Sequence, residues 1–166
     1  MKHPKKKHTL KKYALGLLAL SVIAATSSGA LAQQAPPKPE TLIKWRQSVF
    51  QVIGWNNGRV KANVDGQYQK DEVVKAANAI AALANSGIGA LFAAGTEQGK
   101  GWHDTSTKPE LFKDPKRAGE LFGNFNKEAN ELARIAASGD QAAVKEQFGK
   151  LGKTCKACHD DFKAKD

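Results

Sequence analysis

From Leu42 onward, apolar residues recur at steps of three and four, the spacing of one face of a helix. The first stripe is Leu42, Arg46, Val49, Phe50, Ile53 and Asn57. It follows Pro39-Glu40, a proline suited to a first helical turn and an acid suited to its positive end. Gly58 is expected to end that helix, and residues 59–70 read as a polar connection with Asp65-Gly66 as its turn. Asp71 is expected to cap a second helix, whose apolar side is Val74, Ala77, Ile80, Ala81, Ala84, Ile88 and Leu91. Its alanines let a neighbouring helix approach closely, and Gly87 and Gly89 weaken or kink its end. Residues 95–113, dense in Gly, Thr, Ser and Lys, read as a long loop, and a loop of that length in a compact domain serves a site or is disordered.

Asp114-Pro115 is a cap followed by a proline at the first helical position. The third stripe is Ala118, Leu121, Phe122, Phe125, Ala129, Leu132 and Ile135, and Ser138-Gly139-Asp140 stops that helix and caps the next. The fourth stripe is the most regular: Val144, Phe148, Leu151, Cys155, Cys158 and Phe162. No strand pattern or internal repeat accompanies these stripes. The predicted fold class is all-α, an antiparallel four-helix bundle in which the two cysteines hold core positions.

The segment before the first stripe has a different character. Residues 1–12 carry Lys2, Lys5, Lys6, Lys7, Lys11 and Lys12, residues 13–25 are apolar, and Ala30-Leu31-Ala32 is a small-x-small site before Gln33. These are the three regions of a secretory signal peptide, so residues 1–32 are expected to be cleaved and 33–166 to form the mature domain. The alternative, a retained anchor, has an apolar run too short to span a bilayer. Of the formal charge of +10, the leader's six lysines account for +6, which leaves +4. That excess is scattered, without an aromatic-interleaved basic block, so no nucleic-acid interface is predicted. Export fits the bacterial periplasm, and the same leader also admits secretion.

The chemistry sits near the C-terminus, in Cys155-Lys156-Ala157-Cys158-His159. C-x-x-C-H is the attachment signature of a c-type haem: two thiols add to the vinyl groups and the next imidazole ligates the iron. On a helix, positions i, i+3 and i+4 share a side, so Cys155, Cys158 and His159 can meet one porphyrin. Other readings fit less well. A thioredoxin-like pair opens a helix after a strand, whereas this pair lies near the end of the last helical pattern. A zinc site needs about four ligands, and beyond the leader Cys and His offer only Cys155, Cys158, His159 and His103. A disulfide across two residues closes a very short loop and stabilises little.

What stands opposite His159 decides function. The chain has one methionine, Met1, which leaves with the leader, so the mature chain has no methionine ligand. His103 is the only other histidine after Ala32 and lies in the long loop between Trp102 and Asp104. It reads as an exposed loop residue, and it reaches iron only if that loop folds over the distal face. A lysine ligand needs strong desolvation. The expected iron is five-coordinate with an apolar distal face.

The near-terminal C-x-x-C-H, with Arg46-Gln47-Ser48 in the first helix and Gly95-Thr96-Glu97 leading to Pro109-Glu110 in the loop, resembles the cytochrome c′ family. Four-helix bundles are that family's known architecture. The resemblance spans the mature sequence and implies one haem c, covalent through Cys155 and Cys158, with His159 as proximal ligand. It also implies haem-edge contacts from Arg46 and Gln47, and Phe50 over the vacant iron position. Lys163 would lie beside the proximal face, where the family often has arginine and a lysine cannot make the planar bidentate contact. For Arg46 and Lys163 the plain alternative is solvated helix charge, and for Phe50 it is core packing. A further loop contact between Thr105 and Lys108 is expected without a choice of residue. The resemblance further implies a periplasmic protein that binds diatomic gases, nitric oxide above others and carbon monoxide as well. No general acid, base or nucleophile is arranged around a substrate pocket, so no enzyme is expected. A homodimer through the first two helices is implied too. A periplasmic electron carrier with an unknown redox partner is the alternative, and a haem-free thiol oxidoreductase or metal-binding helical domain the third reading.

Overall fold

The structure is a computed structural model, and it describes residues 36–165. The leader expected over residues 1–32 lies outside them. The helices are α1 (Pro39–Asp65), α2 (Lys70–Ala84), a short α3 (Glu110–Lys113), α4 (Pro115–Ser138) and α5 (Gln141–Phe162). α1, α2, α4 and α5 form the four-helix bundle that the apolar stripes predict. α1 packs along α2, α2 along α4 and α4 along α5, whereas α1 and α5 touch at few points. That thin seam is where the site lies.

α1 does not stop at Gly58. Val60 and Val64 are buried and continue the stripe of Ile43, Ile53 and Asn56, so packing carries the helix through to Asp65. A Cβ at Gly58 would meet nothing within 4 Å, so the glycine costs only its helix propensity, about 1 kcal/mol. The expected connection over 59–70 is therefore helical for most of its length. Arg59 pairs with Glu72 across to α2, and Lys145 Nζ lies 3.0 Å from Asp65 Oδ1, tying α5 to the end of α1.

α2 begins at Lys70, after Gln69, with no side-chain cap. Asp71 sits inside the first turn, where its charge meets the positive helix end instead of capping it. The helix also ends earlier than its stripe suggests. It stops at Ala84, and Gly87 takes φ 79°, a left-handed conformation that glycine adopts without strain. Ile88–Leu91 then form a separate 3₁₀ turn that still delivers Ile88 to the core. The other two of the three caps read from the sequence are present: Asp114 accepts from Arg117 N at 2.9 Å, and Asp140 accepts from Ala143 N at 2.8 Å.

The core has two parts. The main cluster runs through Ile53, Val60, Val73, Ile80, Phe125, Leu132, Val144 and Leu151. A smaller one, Leu111, Ala118, Leu121 and Phe162, lies at the cysteine end. Within the fourth stripe, Val144, Leu151 and Phe162 are buried, while Phe148, Cys155 and Cys158 are only half-buried. The cysteines thus stand at the edge of the packed core, Cys155 against the main cluster and Cys158 against the smaller one. Gln147 is an unforeseen buried polar residue, and it donates to Glu128 Oε2 at 2.6 Å.

Candidate functional site

A cavity of about 410 Å³ opens between α1 and α5. That volume lies within the range of small-molecule and cofactor pockets. One wall comes from α5, with Cys155, Cys158, His159 and Lys163. The other comes from α1, with Arg46, Gln47, Phe50, Ile53, Gly54 and Asn57. α4 contributes Leu121, Phe122 and Phe125, and the loop contributes Phe92 and residues 103 and 105–107. The helical period explains the α5 wall, since residues 155, 158 and 159 fall on one face. Every residue singled out in the sequence as a site residue therefore borders one cavity.

Burial pushes the Cys155 thiol pKa up, and it does the same for Cys158, where Asp161 adds to the effect. Raised thiols are poor thiolate nucleophiles, the opposite of what a thiol oxidoreductase needs. Burial, and then the charge of Lys163, hold His159 below its ordinary value. A neutral imidazole keeps a lone pair for a metal ion. Two protonated thiols and a neutral imidazole on one side of a mostly apolar cavity suit a thioether-linked, iron-bearing macrocycle.

Arg46 is 3% exposed and its guanidinium is committed to the loop. Nη1 donates to Thr96 Oγ1 at 2.7 Å and to Leu91 O at 3.4 Å, and Nη2 donates to Thr96 O at 2.7 Å and to Thr105 Oγ1. All its terminal N–H groups thus have partners, and only Nε–H is left for a carboxylate at the cavity. Burial lowers its pKa and Glu97 opposes that shift. Gln47 is likewise engaged with the loop: Oε1 accepts from Trp102 N at 2.7 Å, and Nε2 donates to His103 O at 2.9 Å. The backbone comes so near there that a Cβ on Gly101 would lie 2.3 Å from Gln47 Oε1.

Phe50 is 37% exposed, with its ring edge-on to Phe92 at 6.2 Å between centroids. Phe92 in turn meets Phe122 at 5.4 Å and lies 5.0 Å from the Arg46 guanidinium carbon. Phe50 is thus the outer member of an aromatic row at the cavity, not a core side chain. His103 is an exposed loop residue at the cavity rim, with Nδ1 2.8 Å from Asp104 O. Within residues 105–108, Thr105, Ser106 and Thr107 line the cavity, and the Lys108 side chain turns to the end of α5.

Two residues escaped the sequence reading of the site. Thr96 is fully buried at 0% exposure beneath Arg46, and only its place in Gly95-Thr96-Glu97 hinted at a role. Asn57 lines the cavity with its Oδ1 buried and without a hydrogen-bond partner among the described residues. Its place on the apolar stripe marked a facing position, and its unpaired oxygen had no sequence signal. Lys108, one end of the stretch expected to supply a haem-edge contact, instead turns its side chain to the end of α5.

Residues 41–163 match the family model described as cytochrome c′. A cytochrome c′ of Rhodocyclus tenuis is 67% identical over 132 residues, covering 79% of this chain and 99% of that relative. A solved cytochrome c′ with a ligand-controlled dimer dissociation superposes with a TM-score of 0.76 at 44% identity, covering 79% of this chain and 100% of the other. A nitric oxide complex of an Alcaligenes xylosoxidans cytochrome c prime variant superposes with a TM-score of 0.70 at 28% identity, covering 79% and 100%. A matched segment that takes in both cavity walls and the cysteine motif leaves one conclusion: this chain belongs to the cytochrome c′ family, whose cofactor is haem c.

Proposed function

We propose that this protein binds diatomic gases, nitric oxide above others, at a five-coordinate haem iron, and that it captures or buffers the gas and is not an enzyme. The observation that carries the reading is the pairing of walls: Cys155, Cys158 and His159 on α5 face Phe50, Ile53 and Gly54 on α1. Cys155 and Cys158 hold the haem as thioethers and His159 is the proximal ligand. When bound, the haem supplies iron with one coordination position for a gas. Phe50 screens that position, which penalises weak ligands more than strong ones. Arg46 and Gln47 border the haem edge while fastening the loop, and Lys163 stands beside the proximal wall. The nitric oxide complex of the Alcaligenes relative supports the choice of gas.

Residues 1–32 are proposed as a cleaved export signal, residues 33–166 as the mature domain and the periplasm as its location. Among the described residues no helix is long and apolar enough to cross a membrane. A homodimer is proposed through α1 and α2. Its support is an exposed stripe on α1, with Trp45 at 49%, Val52 at 45% and Trp55 at 64%, beside Trp102 at 62%. The solved relative with a ligand-controlled dimer dissociation supports a dimer as such.

The test is one set of absorption spectra. The reduced protein is expected to be high-spin and to change on adding nitric oxide, and a denaturing gel stained for haem is expected to retain it. A second reading, an electron carrier with an unknown redox partner, draws on His103 at the cavity rim. A low-spin spectrum that His103→Ala converts to high-spin would establish the carrier instead.

A further inference from the structure

The last four carbonyls of a helix have no partners within it, and an unsupported end frays. In α5 those carbonyls belong to His159, Asp160, Asp161 and Phe162. Each is taken. His159 O accepts from Lys163 N at 3.0 Å, and Phe162 O accepts from Lys108 N at 2.8 Å. Asp160 O and Asp161 O both accept from Lys108 Nζ, at 3.0 and 3.2 Å. A single loop residue therefore supports three of these carbonyls, and its ammonium also sits at the negative end of the helix dipole.

The same segment is fastened at both ends. Ala164 N donates back to Ser106 O at 2.7 Å, and Thr107 and Lys163 form an antiparallel bridge. At the other end, Thr105 Oγ1 accepts from Thr107 N at 3.2 Å and from Arg46 Nη2. A continuous strap thus runs from the buried Arg46 on α1 to the final turn of α5, and that turn begins at His159.

We propose that Lys108 is a positioning residue for His159, with the strap of Thr105 to Lys108 fixing the last turn of α5 against α1. This rests on the reading of His159 as the iron ligand. Thermal fraying of the last turn would swing the His159 ring, and with it the direction of its lone pair. Lys108 limits that motion by holding the carbonyls that follow His159. Arg46 acts on the same strap from the other end, through Thr105. A role as a plain surface charge leaves unexplained why both donor groups of Lys108 converge on one helix end.

The experiment uses the full haem-loaded chain with Lys108→Met, Lys108→Arg and Thr105→Val. Two quantities are read: hydrogen exchange of the Lys163 and Ala164 amides, and the iron–imidazole vibration of the ferrous protein by resonance Raman. Lys108→Met keeps the backbone bond and removes the ammonium. It is expected to speed exchange about threefold and to broaden or shift the vibration. Lys108→Arg should restore both, and Thr105→Val should move both in the direction of Lys108→Met. Faster exchange with an unmoved vibration makes Lys108 a helix cap alone and overturns its positioning role. Unchanged exchange overturns the strap itself. A wild-type chain without covalent haem overturns the reading of His159, and the positioning role with it.

Discussion

Arg46 Nη1 and Thr96 Oγ1 meet at 2.7 Å although 50 residues separate them, and the two side chains are only 3% and 0% exposed. A charge that deep is stable only when its N–H groups are bonded. Thr96 completes the arrangement by donating its own hydroxyl to Ala93 O at 2.8 Å. The pair fixes the loop on α1 and sets Phe92, beneath the guanidinium, against Phe50.

Thr96→Val keeps the shape and removes the acceptor. A buried N–H of a charged group is then unpaired, so the variant should lose about 1–3 kcal/mol of stability. Urea unfolding of both proteins measures it. A loss within about 0.5 kcal/mol, the scale of ordinary surface substitutions, would show that the Arg46–Thr96 bond does not hold the loop.

Val52 and Trp55 lie one turn apart on the exposed face of α1. Val52→Glu puts a charge where the proposed partner subunit must dehydrate the surface. Dimer dissociation should become at least about tenfold easier, equal to about 1.4 kcal/mol. Sedimentation at several concentrations reads the constant directly. An unchanged constant in a dimeric protein places the interface elsewhere.

Asp65 accepts from Lys61 Nζ at 2.6 Å and has Lys145 Nζ at 3.0 Å. Those bonds lower its pKa below the ordinary 3.8 in the folded state. A lowered folded value means the contribution is complete above the unfolded value and is lost as pH falls through the folded one. The stability gap between wild type and Asp65→Asn should therefore be flat from about pH 5 to 7 and close as pH drops below about 4. Urea unfolding across that range gives the gap, and one that widens on acidification contradicts the assignment.

The sequence carried most of the fold because three- and four-residue spacing is a local signal. The caps at Asp114 and Asp140 were legible because Pro115 and Ser138-Gly139 mark where those helices start. Asp71 has no such marker: it reads as a cap in the sequence and sits inside the first turn of α2. Boundaries depended on packing instead. Gly58 looked like a stop, but Val60 and Val64 beyond it are buried and keep α1 going. Ile88 and Leu91 continued the α2 stripe in sequence, yet the left-handed turn at Gly87 separates them from it. In the site, Cys155, Cys158 and His159 were readable because their chemistry is in their spacing. The partners of Arg46 were not, because Thr96 and Thr105 reach it only through the course of a long loop.

Phe50 carries the selectivity proposed for the cavity. It lines the α1 side of the cavity with its ring edge-on to Phe92, while 37% of the residue is exposed. Partial exposure reduces what truncation costs the fold, so Phe50→Ala should lose less than the ~3–5 kcal/mol of a fully buried phenylalanine. The space it vacates adjoins the position where a gas would bind. Carbon monoxide should then bind at least about tenfold more tightly, equal to about 1.4 kcal/mol of relieved obstruction. Nitric oxide should gain less, because its stronger bond already overcomes the ring. Phe92 sets the limit of the effect: if its ring tilts into the gap, it restores part of the screen. A Phe50→Ala, Phe92→Ala double variant should therefore exceed the single one. Carbon monoxide titrations of the ferrous proteins, with helicity checked by circular dichroism, supply the comparison. Equal affinities in wild type and both folded variants would return Phe50 to ordinary packing and remove the steric basis for gas selection.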